Sequence, residues 1–227
     1  RGVHPYLNKD ARLDSRLAID PGIIVKLDSA RIETALNAQL IAEGTQGREI
    51  VFTSLADDAF GAGGTFDTTN DDAESVPLPG DWGGIYLGLI SQGSIDHSLF
   101  RYAGGINRIE GNFAGFNTIE IHQADARIAH STFQYNADGT GGDVGANRFG
   151  RGPNAPGTVY VVGAAPFIVN NVFRANGGPI ANFAANSAGG NDNLELGSTS
   201  SSARVRVELE RSFDIPSRLV EPAEFGK

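Results

Sequence analysis

Two histidines and one acidic stretch have the residue types and spacing that could do chemistry. His97 and His130 occupy the same place in two copies of one phrase, Ile95-Asp96-His97-Ser98-Leu99-Phe100-Arg101-Tyr102 and Ile128-Ala129-His130-Ser131-Thr132-Phe133-Gln134-Tyr135. Two imidazoles stacked that way could share a zinc ion. The third copy, Ile168-Val169-Asn170-Asn171-Val172-Phe173-Arg174-Ala175, has Asn170 there, and no Cys or acidic partner recurs in register. The expectation is therefore a structural ladder of polar turn residues.

The acidic stretch runs from Asp57 and Asp58 through Asp67, Asn70, Asp71 and Asp72 to Glu74. Calcium takes about six to eight hard oxygens, which alternate acidic residues in a turn can supply. The stretch reads first as a solvated acidic loop. The alternative is a calcium site built from Asp67, Asn70, Asp71, Asp72 and Glu74. Flat aromatic faces that could meet sugar rings are Trp82, Tyr86, Tyr102, Tyr135 and Tyr160. The competing reading is that they pack beneath inserted loops. Carboxylates such as Asp96, Glu120 and Asp125 are expected to project outward singly, without the pair that glycoside hydrolysis needs. No nucleophile elbow, phosphate-cradling loop or dinucleotide fingerprint occurs, so no catalytic residue is assigned.

The elements that would position these residues are short strands. The phrase with Ile first and Phe five places on occurs three times, each copy preceded by a shorter one: Ile85-Tyr86-Leu87, Ile119-Glu120-Ile121 and Val159-Tyr160-Val161. Paired phrases repeated together predict stacked, equivalent coils. Upstream, 17–19, 23–27, 30–34, 40–42 and 50–53 read as further strands, punctuated by turns such as Asp20-Pro21-Gly22. No apolar stripe of helical period is sustained. Stacking at the strand spacing of about 4.8 Å predicts an inward file of Phe100, Phe133 and Phe173 beside one of Ile95, Ile128 and Ile168. Asn136 and Asn176 share a turn position from which an amide can bond the next coil. Arg101, Gln134 and Arg174 should face outward, as should Tyr86, Glu120 and Tyr160.

Repeat spacing grows from 33 residues (Ile95 to Ile128) to 40 (Ile128 to Ile168), whereas a coil needs roughly twenty-odd. The surplus must loop out, and composition places it at 103–116 and 137–156; separate loop insertions are read near 57–80 and 187–202. Residues 1–16 read as a lead-in or cap, and 17–227 as one domain. The alternating segment 204–210 reads as a capping or edge strand.

Composition narrows the function classes. The 227 residues carry a net charge of −9, with Lys and Arg scattered, which argues against a nucleic-acid partner. No apolar run reaches membrane-spanning length. Cys is absent, so neither disulfide nor thiolate site exists. The lack of Asn-x-Ser/Thr acceptors suits a bacterial secreted protein.

Several phrases together carry a resemblance: Asp20-Pro-Gly-Ile-Ile-Val-Lys-Leu27, Leu40-Ile-Ala-Glu-Gly-Thr45, Ile50-Val-Phe-Thr-Ser54, Pro79-Gly-Asp-Trp-Gly-Gly-Ile85 and Asp96-His97-Ser98 with Arg101-Tyr102. The chain over about 17–185 resembles right-handed parallel β-helix segments of large bacterial secreted and cell-surface proteins. That implies an all-β, single-stranded parallel β-helix in an extracellular setting, as part of a longer protein. Ile95-Asp96-His97 is also similar to a Trp-Ile-Asp-His element of pectate lyases, but Ser94 replaces the Trp. Arg151-Gly152-Pro153 resembles their Arg-x-Pro element, with Pro156 where a second Arg stands. Both are read as coincidental.

The function expected is a non-catalytic structural or adhesive module whose loops engage glycans, calcium or neighbouring subunits. The alternatives are a lyase or hydrolase of acidic polysaccharides, and a self-assembling surface filament subunit.

Overall fold

The computed structural model describes residues 15–34, 36–61, 75–184 and 191–196. Short strands bounded by turns fill most of it. The first five are β1 (Arg16–Ile19), β2 (Ile24–Leu27), β3 (Arg31–Thr34), β4 (Gln39–Glu43) and β5 (Ile50–Ser54). After the acidic insertion come β6 (Gly84–Leu87), β7 (Gln92–Asp96) and β8 (Ser98–Arg101). A hairpin of β9 (Ile106–Ile109) and β10 (Asn112–Gly115) interrupts them. Then follow β11 (Ile119–His122), β12 (Asp125–Ala129), β13 (Thr132–Gln134), β14 (Val159–Val162), β15 (Phe167–Arg174), β16 (Ala181–Phe183) and β17 (Asn191–Leu196). The described residues contain no α-helix, so none is long and apolar enough to cross a membrane.

Chain order and spatial order differ in a regular way. One sheet runs β3-β6-β11-β14-β16, the other β1-β4-β7-β12-β15-β13-β8-β5-β2 with β17 beside β15. Every pairing in both is parallel. The chain visits the sheets in turn and returns one strand further along. This nearly all-β, parallel arrangement closes no barrel and is consistent with a β-solenoid.

Parallel register carries like residues over like. Phe100 pairs with Phe133 and Phe133 with Phe173, all at most 1% exposed. Their ring centroids repeat at 4.9 and 4.8 Å with planes within 7° of parallel. The strand spacing thus sets the ring spacing, inside the range of favourable offset stacks. Phe52 extends the file at 4.8 Å, a member the three-copy repeat did not reveal. Ala42, Ile95, Ile128 and Ile168 form the aliphatic file beside it.

Polar corners obey the same register. Asn136 is fully buried; its Nδ2 donates to Phe100 O and Asn176 Oδ1, and its Oδ1 accepts from the Ala103 backbone N–H. Asn176 Nδ2 repeats the pattern on Phe133 O. Each amide satisfies backbone groups that would otherwise be buried and unpaired, at about 1–3 kcal/mol apiece. His97, His130 and Asn170 all sit at φ near +50° (40°, 47° and 55°), at the corner inside the repeated phrase.

Two expected loops contain regular structure. Within 103–116, β9 and β10 pair antiparallel through the Glu110-Gly111 turn, both residues at positive φ. That conformation matches strand twist, and so the segment closes as a hairpin. Within 187–202, β17 pairs in parallel with β15 despite its Gly- and Asn-rich surroundings, because an open sheet edge outweighs weak local propensity. The segment 204–210 and nearly all of the lead-in lie outside the described residues.

Candidate functional site

The outer face of the β3-β6-β11-β14 sheet is where inserted chain folds back onto the stack. A strand exposed on one side should alternate in burial, as β9 does. Yet all four residues of β6 and of β11 are buried. The segments 103–116 and 137–157 roof this face.

Glu120 is the centre of the roofed region. It faces out of the coil, in register with Tyr86 and Tyr160, yet is 0% exposed. The single outward carboxylate expected from the sequence is therefore corrected. Alternation assigns a side chain to a face but cannot say whether that face is later covered. Arg148 descends from a 3-10 turn (Arg148–Gly150) and grips Glu120 with both Nη atoms, at 2.9 and 2.7 Å. It also donates to Gly115 O and Gly152 O, tying strand and roof together. Phe116 packs beneath this guanidinium and that of Arg31, 5.0 and 4.4 Å from its centroid. Asn117 and Asn154 fasten the rest: Asn117 Nδ2 donates to Gly157 O and Ala155 O, and Asn154 Nδ2 to Gly139 O and Asn117 Oδ1.

His122, two residues along β11, donates through Nε2 to Glu120 Oε2 at 3.0 Å. Its ring lies between Tyr86 and Tyr160, at 4.8 and 5.6 Å. Burial by itself would raise the Glu120 pKa, but hydrogen bonds from His122 and Arg148 and the Arg148 charge reverse it, leaving it lowered. Burial, reinforced by that same carboxylate, pushes the Tyr86 hydroxyl up to about 12. Tyr160 is raised for the same reasons.

A depressed folded pKa means stability that is complete above the unfolded glutamate value of about 4.3 and is lost as pH falls through the folded value. Denaturant unfolding followed from pH 7 to 3 should show this loss. Glu120→Gln should be less stable at neutral pH and have a shallower acid slope. Parallel slopes would show that Glu120 is not the group responsible.

Beside this network lies a cleft of about 410 Å³, lined by Tyr86, Leu89, His122, Gln123, Arg151 and Gly152 among others. That is within the usual small-ligand range of about 300–1,000 Å³. Arg151 holds one wall by pairing with Glu33 Oε1 at 2.9 Å, and Tyr86 Oη donates to its carbonyl.

The five aromatic candidates separate into three places. Trp82 is sealed in the core, its Nε1 donating to Arg101 O and its ring 6.5 Å from Phe52, so it offers no face to a ligand. Tyr86 and Tyr160 flank His122 under the roof, and Tyr86 lines the cleft. Tyr102 and Tyr135 stack at 6.0 Å elsewhere, beside the Arg101 guanidinium, with Tyr135 exposed. Of the acidic stretch, Asp57 is buried and paired with Arg101 at 2.9 Å, and Asp58 lies 4.0 Å from Lys26. Asp67, Asn70, Asp71, Asp72 and Glu74 lie outside the described residues. Sequence reasoning missed His122 and Arg148 altogether. A buried charge is signalled only by its partner, here 28 residues away.

No family model, no curated protein and no solved structure matches this chain.

Proposed function

We propose that the chain winds as a right-handed single-stranded parallel β-helix and serves as an extracellular or cell-surface bacterial module, structural or adhesive, that holds glycans in the roofed cleft. The handedness rests on the general rule that about 98% of crossovers between parallel strands of one sheet are right-handed. The observation that carries the function is the cleft itself. Its floor is a register-locked sheet, and its roof is pinned by a buried bidentate ion pair. Preorganised walls lower the ordering cost of binding. The lining mixes ring faces with an imidazole, a guanidinium and backbone groups of Gly150 and Gly152, which suits a hydroxyl-rich ring. Glycoside hydrolysis asks for two carboxylates across the bond, whereas this lining supplies cationic and neutral donors.

The test is an array of neutral and acidic oligosaccharides, followed by calorimetry on the best ligand. Leu89 lines the cleft and is 48% exposed, so Leu89→Arg can obstruct it without disturbing the core. Binding that falls at least tenfold in Leu89→Arg supports the reading. A blank array, or binding indifferent to this variant, overturns it. Unsaturated products or reducing ends released from acidic polysaccharide would replace the binding module with an enzyme.

A further inference from the structure

Away from the cleft, at the corner between β7 and β8, the side chains of Asp96, His97 and His130 converge. His97 Nδ1 lies 2.6 Å from Asp96 Oδ1, and His130 Nδ1 lies 3.0 Å from the same oxygen. The imidazoles stack with centroids 4.9 Å apart, one strand spacing, because their corners are in register. All three ligand atoms lie within 4.8 Å of one another, and the group is open to solvent, with His130 exposed. The sequence supplied two histidines without a recurring acid. The structure supplies one acid that both rings share, and one is sufficient.

We infer that Asp96, His97 and His130 form a binding site for a first-row divalent transition metal, zinc being the representative ion. Two imidazoles and a carboxylate suit zinc, with the remaining position left to water or an external ligand. A tetrahedral ion with bonds of about 2.0–2.1 Å needs its ligand atoms about 3.3 Å apart, which small side-chain rotations provide here. Without metal, both Nδ1–H groups donate to Asp96 Oδ1. Metal entry replaces those two hydrogen bonds, and each ring proton moves to Nε2.

The surroundings fit that exchange. The Asn170 side-chain amide sits 3.2 Å from His130 Nε2, and turned by its two-fold it accepts the proton there. Arg127 holds the other carboxylate oxygen, Oδ2, at 2.6 Å, which orients Asp96 and leaves Oδ1 to the metal. Its charge opposes a cation. Glu43, in register with Asp96, acts the other way.

The repeat itself designs the control. Asn170 occupies the third corner at φ 55°, where Asn is at home, so His97→Asn with His130→Asn should keep the fold. Circular dichroism and melting verify this. Asp96→Asn, which retains both imidazoles, is the second variant. Untagged full-length chain is titrated with Zn²⁺ by calorimetry and with Co²⁺ by visible absorption. One equivalent of each should bind, Zn²⁺ should displace Co²⁺, and excess Ca²⁺ should not, since calcium prefers hard oxygens. Affinity should fall roughly 10–100-fold or more in either variant, ligand loss costing at least as much as loss of a supporting partner. No saturable binding at millimolar zinc would overturn the site. So would affinity unchanged in both variants, or displacement by calcium, each placing the metal elsewhere.

Discussion

Arg148→Met is expected to cost about 3–5 kcal/mol and to lower the melting temperature by roughly 6–20 °C. The loss is large because Glu120 stays behind. Its carboxylate is wholly buried, and deletion of the guanidinium leaves that charge with only His122, the Asn117 backbone N–H and, at 3.3 Å, Asn154 Nδ2 as polar partners. The carbonyls of Gly115 and Gly152 lose donors at the same moment. Arg148 and Phe149 are consecutive non-glycine residues at φ 40° and 53°, a strained crown that the four guanidinium bonds hold in place. Amide exchange between 145 and 153 should therefore accelerate along with the drop in stability. Arg151→Met is the comparison. That arginine pairs with the partly exposed Glu33, and its removal should cost below about 1 kcal/mol. If the two variants melt alike, the buried pair does not hold the roof.

Phe133→Ala should cost about 3–5 kcal/mol, the usual penalty for emptying a fully buried aromatic site. Phe133 sits between Phe100 and Phe173, at 4.9 and 4.8 Å, so truncation removes two ring contacts and opens a void in a file that strand spacing prevents from collapsing. Phe133→Leu keeps most of the volume and should recover much of the loss. Phe113, 50% exposed on the hairpin, is the control, and Phe113→Ala should stay within about 0.5 kcal/mol of the parent. In a stacked array each unit is stabilised mainly by its neighbours. A fault at this central position should also separate the unfolding of β5 and β8 from that of β15, seen as urea transitions that no longer coincide between probes. Equal losses for Phe133→Ala and Phe113→Ala would mean that the phenylalanine file is not what binds the strands.

Much of the stack could be read from single residues. Ile95, Ile128 and Ile168 recur with Phe100, Phe133 and Phe173 because parallel register puts the same environment above itself, and the same environment selects the same side chain. Asn136 and Asn176 were legible for that reason too. Phe52 escaped notice because the acidic insertion separates it from the three clear copies. The 106–115 hairpin was obscured by the same glycines and asparagines that make its turn possible.

The sequence alone determined which residues stack, since contacts between adjacent strands follow a register that the repeat spells out. It also placed His97 above His130. Only the tertiary structure decided which outward faces are roofed and which unlike residues meet. Glu120 reads as a surface acid until Arg148 arrives from another segment, and Asp96 reads as a lone acid until His130, one strand away, turns toward the same oxygen as His97. Those contacts depend on the path of an inserted loop and the aim of individual side chains. Neither has a period, and so no repetition in the chain announces them.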